Sequence, residues 1–94
     1  MIEKIKKFIE KEAIYRDLIK RVYDNPYEEK RKAFAALNYN EEELKNALAE
    51  LENEMILLSL TTHSSAGLES RILRVILMVN PDLENDLGKL LDEL

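Results

Sequence analysis

Few residues in this 94-residue chain have side chains suited to catalysis. Its one histidine, His63, is followed by Ser64 and Ser65, and these residue types serve as base and nucleophile in many hydrolases. Such a pair needs a rigid third group that orients the histidine, which a serine-rich turn does not supply. The chain has no cysteine, so a thiolate nucleophile, a thiolate zinc site and a disulfide framework are excluded together. We therefore expect a protein that is not an enzyme.

Carboxylate side chains are the remaining candidates for chemistry, because they could bind a metal ion. Asp82, Glu84, Asp86 and Glu93 have the spacing of a calcium-binding loop, but Leu87 stands where that loop requires glycine. The same segment carries a leucine stripe of helical period, which indicates a helix rather than a loop. With only two glycines, the chain also lacks a glycine-rich phosphate loop. The expectation is that neither a metal nor a cofactor is bound.

Charge is distributed unevenly along the chain. The formal net charge is −5, from 14 Lys and Arg against 19 Asp and Glu. Residues 1–32 contain ten basic and seven acidic side chains, a formal charge of +3, whereas residues 33–94 contain four and twelve, a charge of −8. Such asymmetry favours a surface directed at a partner, although solvated helix faces also vary in charge.

Three asparagines predict where helices begin. Asn25 precedes Pro26, Asn40 precedes three glutamates, and Asn80 precedes Pro81. Each combines a good N-cap residue with a carboxylate in the following turn, where the helix dipole favours an anion. Residues 2–24 are also predicted to be mostly helical. Because two charged residues at 11 and 12 interrupt their apolar seam, the first ten residues either overhang the body or join it through a kink.

Residues 56–79 have a different pattern. Two runs rich in β-branched and apolar residues, 56–62 and 72–79, flank a polar tip that contains Gly67. Two such runs around a glycine-bearing turn favour a β-hairpin. A helix over residues 68–79 is the alternative, because the apolar residues there also fit a period of 3.6.

The order helix, helix, turn, helix, hairpin, helix resembles the winged helix-turn-helix family over residues 15–79. The resemblance is strongest in residues 36–44 and 47–56, where a short turn leads into the family's pattern of leucine-x-x-leucine-glutamate-x-glutamate and an apolar strand. The matching positions are Leu48, Leu51, Glu52, Glu54 and Ile56. Met55 stands where the family usually has glycine, which disfavours a left-handed end to the helix.

The resemblance implies a mainly α fold with a small β-hairpin: a three-helix core, a wing over residues 56–79 and a C-terminal helix. The core packs through Phe34, Leu37, Leu44 and Leu48. Residues 1–94 then form a single domain, with residues 1–10 as a candidate overhanging extension.

Winged helices usually read DNA with the second helix of the turn motif, which enters the major groove. In this sequence the corresponding face carries Glu41, Glu42, Lys45 and Asn46. Two carboxylates against one lysine are the wrong sign for phosphate, since nucleic-acid affinity depends on cations that neutralise the backbone. The remaining candidate contacts to nucleic acid are Lys30, Arg31, Lys32, Arg71 and Arg74.

Amphipathic segments at both ends offer candidate partner contacts, at Ile5, Phe8, Leu87 and Leu91. Terminal helices of this kind pair with a second copy or another chain, or pack within their own chain. We therefore expect a non-catalytic winged-helix module that acts through protein–protein contacts, as a homodimer or docked in an assembly. The alternative is a DNA-binding transcriptional regulator. With no apolar run near the ~20 residues of a membrane span and no signal peptide, no membrane contact and a cytoplasmic location are expected.

Overall fold

The computed structural model describes residues 2–63 and 73–93 of the chain. In chain order, the described elements are α1 (Ile2–Lys11), α2 (Ala13–Asp24), α3 (Lys30–Ala36), α4 (Glu41–Asn53), β1 (Leu57–His63), β2 (Leu73–Val79) and α5 (Glu84–Asp92), the last preceded by a 3₁₀ turn at Pro81–Leu83. The protein is thus mainly helical with a two-stranded antiparallel hairpin, as the sequence predicts. The alternative helix over residues 68–79 is wrong for residues 73–79, and its remaining positions lie outside the described residues.

The first two helices are separated at Glu12, whose backbone is extended with φ −151° and ψ 144°. The kink thus lies where charged residues interrupt the apolar seam. It brings α1 back onto the body, where the side chain of Ile5 is fully buried. The rings of Phe8 and Tyr15 meet across the kink with centroids 5.1 Å apart. α1 also contacts α5, so the two ends of the chain pack together.

Two of the three predicted helix starts are confirmed. The side-chain oxygen of Asn40 accepts a hydrogen bond from the backbone N–H of Glu42 at 2.8 Å. Asn80 caps its segment in the same way, accepting from the N–H of Asp82 at 3.0 Å. Each asparagine satisfies a backbone donor that the first turn of a helix leaves unpaired.

The third predicted start, at Asn25, is wrong. Asn25 instead ends α2, and both its backbone N–H and its side-chain amide donate to the carbonyl of Arg21 at 3.0 Å. The carboxylate of Glu28, in the turn that follows Asn25, accepts two hydrogen bonds from the Arg21 guanidinium at 2.9 and 2.6 Å. The next helix begins only at Lys30.

Residues 27–29 run along the free edge of β2 instead. The N–H of Tyr27 donates to the carbonyl of Leu77, and the N–H of Leu77 donates to the carbonyl of Glu28, each at 3.0 Å. Glu29 forms an isolated antiparallel bridge with Ile76. The sheet therefore gains a short third segment that its own hairpin does not provide.

The core lies between the helices and the inner face of the hairpin. β1 and β2 pair in continuous register from Leu57 opposite Val79 to His63 opposite Leu73. Because side chains alternate along a strand, Leu57 and Leu77 point inward and are buried. Each large apolar side chain buried in this way stabilises the fold by about 1.5–3 kcal/mol. The fully buried members include Leu18, Ile19, Ala33, Leu44, Leu51, Ile56 and Leu87, with Phe34 and Leu37 packed against them.

The corner between α4 and β1 is left-handed although it carries no glycine. Met55 has φ 60°, and its N–H donates to the carbonyl of Glu52 at 3.0 Å. The next N–H, of Ile56, donates to the carbonyl of Leu51 at 2.9 Å. These two bonds form a Schellman motif, so the corner is left-handed even though methionine, in place of glycine, led us to expect otherwise. Asn80 braces the corner, since its side-chain amide donates to the carbonyl of Met55 at 2.8 Å.

Candidate functional site

The exposed face of α4 carries the residues that the sequence singles out for a partner. The inward side of the helix is defined by Leu44, Ala47, Leu48 and Leu51, all buried at helical spacing. The opposite side is therefore exposed, and it contains all four predicted residues, Glu41, Glu42, Lys45 and Asn46. Glu41 adjoins Lys45 and Glu42 adjoins Asn46, because residues four apart are neighbours on a helix surface.

This face is acidic. Glu41, Glu42 and Glu43 occupy the first turn, where the helix dipole stabilises carboxylates. The amine of Lys45 lies 3.8 Å from a carboxylate oxygen of Glu41, so the negative charge of Glu41 already offsets the positive charge of Lys45. Two solvated like charges at about 4 Å repel by about 1 kcal/mol. An approaching phosphate would therefore meet net repulsion here.

A groove adjoins this face, between α4 and the start of α2. Its volume is about 370 Å³. The buried side chains of Ile14, Tyr15 and Ala47 form its floor. The other lining residues are Glu12, Ala13, Tyr39, Glu43, Asn46 and Glu50, of which the three glutamates are exposed and make the rim acidic. The combination of an apolar floor and an acidic rim suits an amphipathic cationic ligand. The sequence alone does not predict this groove, because its lining residues at 12–15 and 39–50 come together only when the helices pack.

Two tyrosines hold the walls of the groove together. The hydroxyl of Tyr15 donates to the carboxylate of Glu50, and the hydroxyl of Tyr39 donates to that of Asp17. The hydrogen bond to Glu50, followed by burial, raises the pKa of Tyr15 to about 12. The pKa of Tyr39 is also raised, chiefly by its bond to Asp17. Both phenols therefore stay protonated at neutral pH and keep donating, which joins α2 to α4 and to the turn before it.

The carboxylates at the far end of α4 contact the body of the protein. Glu54 binds the amine of Lys4 on α1 at 2.5 Å. Glu52 accepts a hydrogen bond from the hydroxyl of Ser59 at 3.3 Å. The acidic residues that face solvent without these contacts are therefore concentrated in the first half of the helix.

The predicted basic contacts lie around the start of α3, where Lys30 and Arg31 line a second groove together with Glu41 of α4. Arg31 and Arg74 both approach the carboxylate of Glu29, at 3.4 and 3.6 Å, although they are distant in sequence. The amine of Lys30 lies 5.9 Å from the ring centroid of Phe34, and Lys32 is exposed. The fifth predicted residue, Arg71, lies outside the described residues.

The apolar residues predicted to contact a partner are placed mainly inside the chain. Ile5 and Leu87 are fully buried, so we remove both from the set of partner contacts. Phe8 and Leu91 are half-buried. The two terminal helices contact each other and also α2, so part of each apolar stripe packs within the chain.

The carboxylates that have the spacing of a calcium-binding loop do not lie in a loop. Asp82 lies in the 3₁₀ turn and Glu84 and Asp86 lie in α5, so these carboxylates belong to a helical segment and not to a loop. Over residues 2–63 and 73–93 there is no cluster of three potential metal ligands. None of the helices described in those ranges could cross a membrane.

No family model, curated protein or solved structure matches the chain.

Proposed function

We propose that the chain is a non-catalytic winged-helix module that acts through protein–protein contacts. The order of α2, α3, α4 and the hairpin supports the winged-helix part of this proposal. So does the short connection over residues 37–40, because a turn of three or four residues is typical of the helix-turn-helix unit. In such a module α4 is the helix that meets the partner.

The observation that carries the proposal is the sign of the charge on α4. Its exposed face has three glutamates in the first turn and one lysine, which is itself near Glu41. Nucleic-acid affinity comes mainly from cations that neutralise phosphates, so this face opposes a duplex. A protein partner has no such requirement, and a basic surface on it would be attracted instead.

The groove beside α4 indicates what kind of partner segment fits. An apolar floor that includes Ile14 and Ala47 takes the apolar face of a helix, while the carboxylate of Glu43 on the rim pairs with lysines along its edges. We therefore propose a partner that presents a basic amphipathic helix. The contact would be strongest at low salt, since the rim charges are exposed.

The test uses two labelled probes at about 0.15 M salt, a short DNA duplex and a synthetic helical peptide of leucine and lysine with about 14 residues. The peptide should bind and shift the backbone amide NMR signals of the groove residues, whereas the duplex should show no saturable binding. Glu43→Lys should weaken peptide binding, because it places a like charge on the rim. Asp92→Lys, the matched charge change on the exposed end of α5, should leave it unchanged. Equal peptide affinity in both variants would refute the groove as the binding site.

The alternative is a DNA-binding transcriptional regulator that uses the start of α3. The exposed Lys32 and the grouping of Arg31 with Arg74 around Glu29 favour this function. Saturable duplex binding in the same assay, lost in Lys32→Glu and retained in Glu43→Lys, would select it. Phosphate contacts also predict a steep loss of affinity as salt rises.

A further inference from the structure

The two edges of the sheet are unequal. β2 is paired on both sides, with β1 along its length and with the segment at Glu29 on its other edge. β1 pairs only with β2 among the described residues. Alternate N–H and C=O groups of a strand face away from its neighbour, so β1 presents an open row of donors and acceptors.

The open strand also lacks the usual protection. Its sequence, Leu57–His63, contains no Asp, Glu, Lys, Arg or Pro, although charged residues make up 35% of the chain. Its register with β2 is continuous, so no bulge turns the edge away. Proteins normally blunt such an edge with a charge, a proline or a bulge. The opposite edge has that protection, since the Glu29 carboxylate lies there 3.6 Å from Arg74.

The outer face of the hairpin is apolar beside this open edge. Leu58 pairs with Met78 and Leu60 pairs with Ile76, so these four side chains share one face. Leu60 is 46% exposed and the other three are half-buried. A neighbouring strand would therefore gain side-chain contacts as well as backbone hydrogen bonds.

We propose that β1 pairs antiparallel with β1 of a second copy, which joins the two hairpins into a four-stranded sheet across a two-fold axis. A two-fold contact needs a surface that complements itself, and an antiparallel strand edge does so because both strands offer the same row of donors and acceptors. Charge also points to a second copy. Each chain has a net charge of −5, and no residue of β1 itself brings an Asp, Glu, Lys or Arg charge into the contact.

An axis at Leu60, the central residue of β1, pairs the two strands over their full length. Glu52 is bonded to Ser59, so a carboxylate stands beside the half of the strand nearest the body. An axis at Leu60 places Ser59 opposite Thr61 of the second copy. The Glu52 carboxylate then lies near the hydroxyl-bearing Thr61 and not near the second copy's own carboxylate. It also places the two Leu60 side chains next to each other on the same face.

The size of the contact sets its strength. Seven paired residues span about 23 Å, which makes a smaller contact than the ~800 Å² per partner of a standard interface. The dimer is therefore weak and concentration-dependent. Added salt strengthens it, because salt screens the repulsion between two negatively charged chains. The peptide contact proposed for α4 has the opposite salt dependence, and the two proposals stand or fall separately.

Sedimentation equilibrium of the full chain tests the pairing. Wild type should form dimers that increase with concentration, and Leu60→Lys or Leu60→Glu should weaken them by about tenfold or more, since like charges opposite each other destabilise a strand pair. An equimolar mixture of these two variants should dimerise again, which separates the effect from misfolding. The matched control is Tyr27→Lys, at a side chain that is 61% exposed near the other edge. A monomeric wild type, or dimers equally strong in Leu60→Lys, would overturn the proposal.

Cross-linking tests the axis itself. Because the chain has no cysteine, Leu60→Cys introduces a single thiol that meets its own copy across the axis. Facing residues in antiparallel strands have Cβ atoms about 4.5–5.5 Å apart, close to the reach of a disulfide. Mild oxidation should convert this variant to covalent dimers much faster than Asn85→Cys on exposed α5. Equal rates in the two variants would contradict the axis at Leu60.

Discussion

Two corners of the molecule lead from a helix to the sheet, and each places a bulky residue in left-handed backbone. Tyr27 has φ 64° and Met55 has φ 60°. Both side chains are more than half exposed, so packing does not account for either residue. Left-handed backbone costs a residue with a side chain about 1–2 kcal/mol, and surrounding bonds must offset that cost.

The bonds that do so differ between the corners. At Met55 they are mostly local, a Schellman pair that reaches back three to five residues to Glu52 and Leu51. At Tyr27 they are mostly from farther away, because its N–H donates to the carbonyl of Leu77 and the carboxylate of Glu28 accepts from Arg21. The bond from the N–H of Glu28 to the carbonyl of Asn25, by contrast, is local. A turn stabilised by hydrogen bonds between nearby residues can form on its own. A turn stabilised by residues far along the chain forms only as the rest of the fold assembles.

The largest effect is expected at the distant corner, from Glu28→Gln. The side chain of Glu28 is only 16% exposed and that of Arg21 31%, so the change leaves a partly buried guanidinium without its counter-ion. We expect the free energy of unfolding to fall by about 2 kcal/mol, within the range for hydrogen bonds to charged groups. Urea unfolding monitored by circular dichroism at about pH 7 measures it.

Acid should reduce this difference. The hydrogen bond from Arg21 lowers the pKa of Glu28 below its ordinary value of 4.5. A carboxyl whose folded pKa lies below the unfolded one stabilises the fold above the unfolded pKa, and this stabilisation is lost as pH falls through the folded value. Wild type and Glu28→Gln should therefore converge in strong acid. A difference that stays constant down to about pH 2 would contradict the ion pair.

A smaller loss of stability is expected from Asn80→Ala. This variant tests how much the corner at Met55 depends on the hydrogen bond from the side chain of Asn80. This change removes the cap bond to Asp82 and the bond to the carbonyl of Met55. We expect a loss of about 1–2 kcal/mol, the usual range for an N-cap. Asn80→Ser retains a capping oxygen without reaching Met55, so the two variants separate the contributions. Equal stability of Asn80→Ser and wild type would show that the brace contributes nothing.

The smallest effects are expected from glycine at each corner. Met55→Gly should stabilise the fold by about 1 kcal/mol, because glycine adopts left-handed backbone without strain. Tyr27→Gly should stabilise it less, because it also removes a ring that lines a groove with Pro26 and Met78. Melting temperatures of the two variants give the comparison. A larger increase in melting temperature from Tyr27→Gly than from Met55→Gly would contradict this prediction.

Particular residues show how far the sequence predicts this fold and its candidate site. Asn40 and Asn80 are recognisable as caps because the donor each satisfies lies two residues away. Asn25 has the same appearance, yet Arg21 takes the carboxylate of Glu28 and the helix begins later. For the site, the exposed acidic face of α4 follows from periodicity. The groove and the tyrosines that hold it do not, since Tyr15 meets Glu50 only after α2 and α4 pack.

The amino-acid sequence alone therefore determines the helical periods, two of the caps, the hairpin and the acidic side of α4, because each depends on neighbours within a turn or a strand pair. Tertiary structure decides the course of residues 25–29, the burial of Ile5 and Leu87, and which sheet edge stays open. These features depend on contacts between residues far apart in the chain, such as Tyr27 with Leu77, and such contacts form only when the elements assemble.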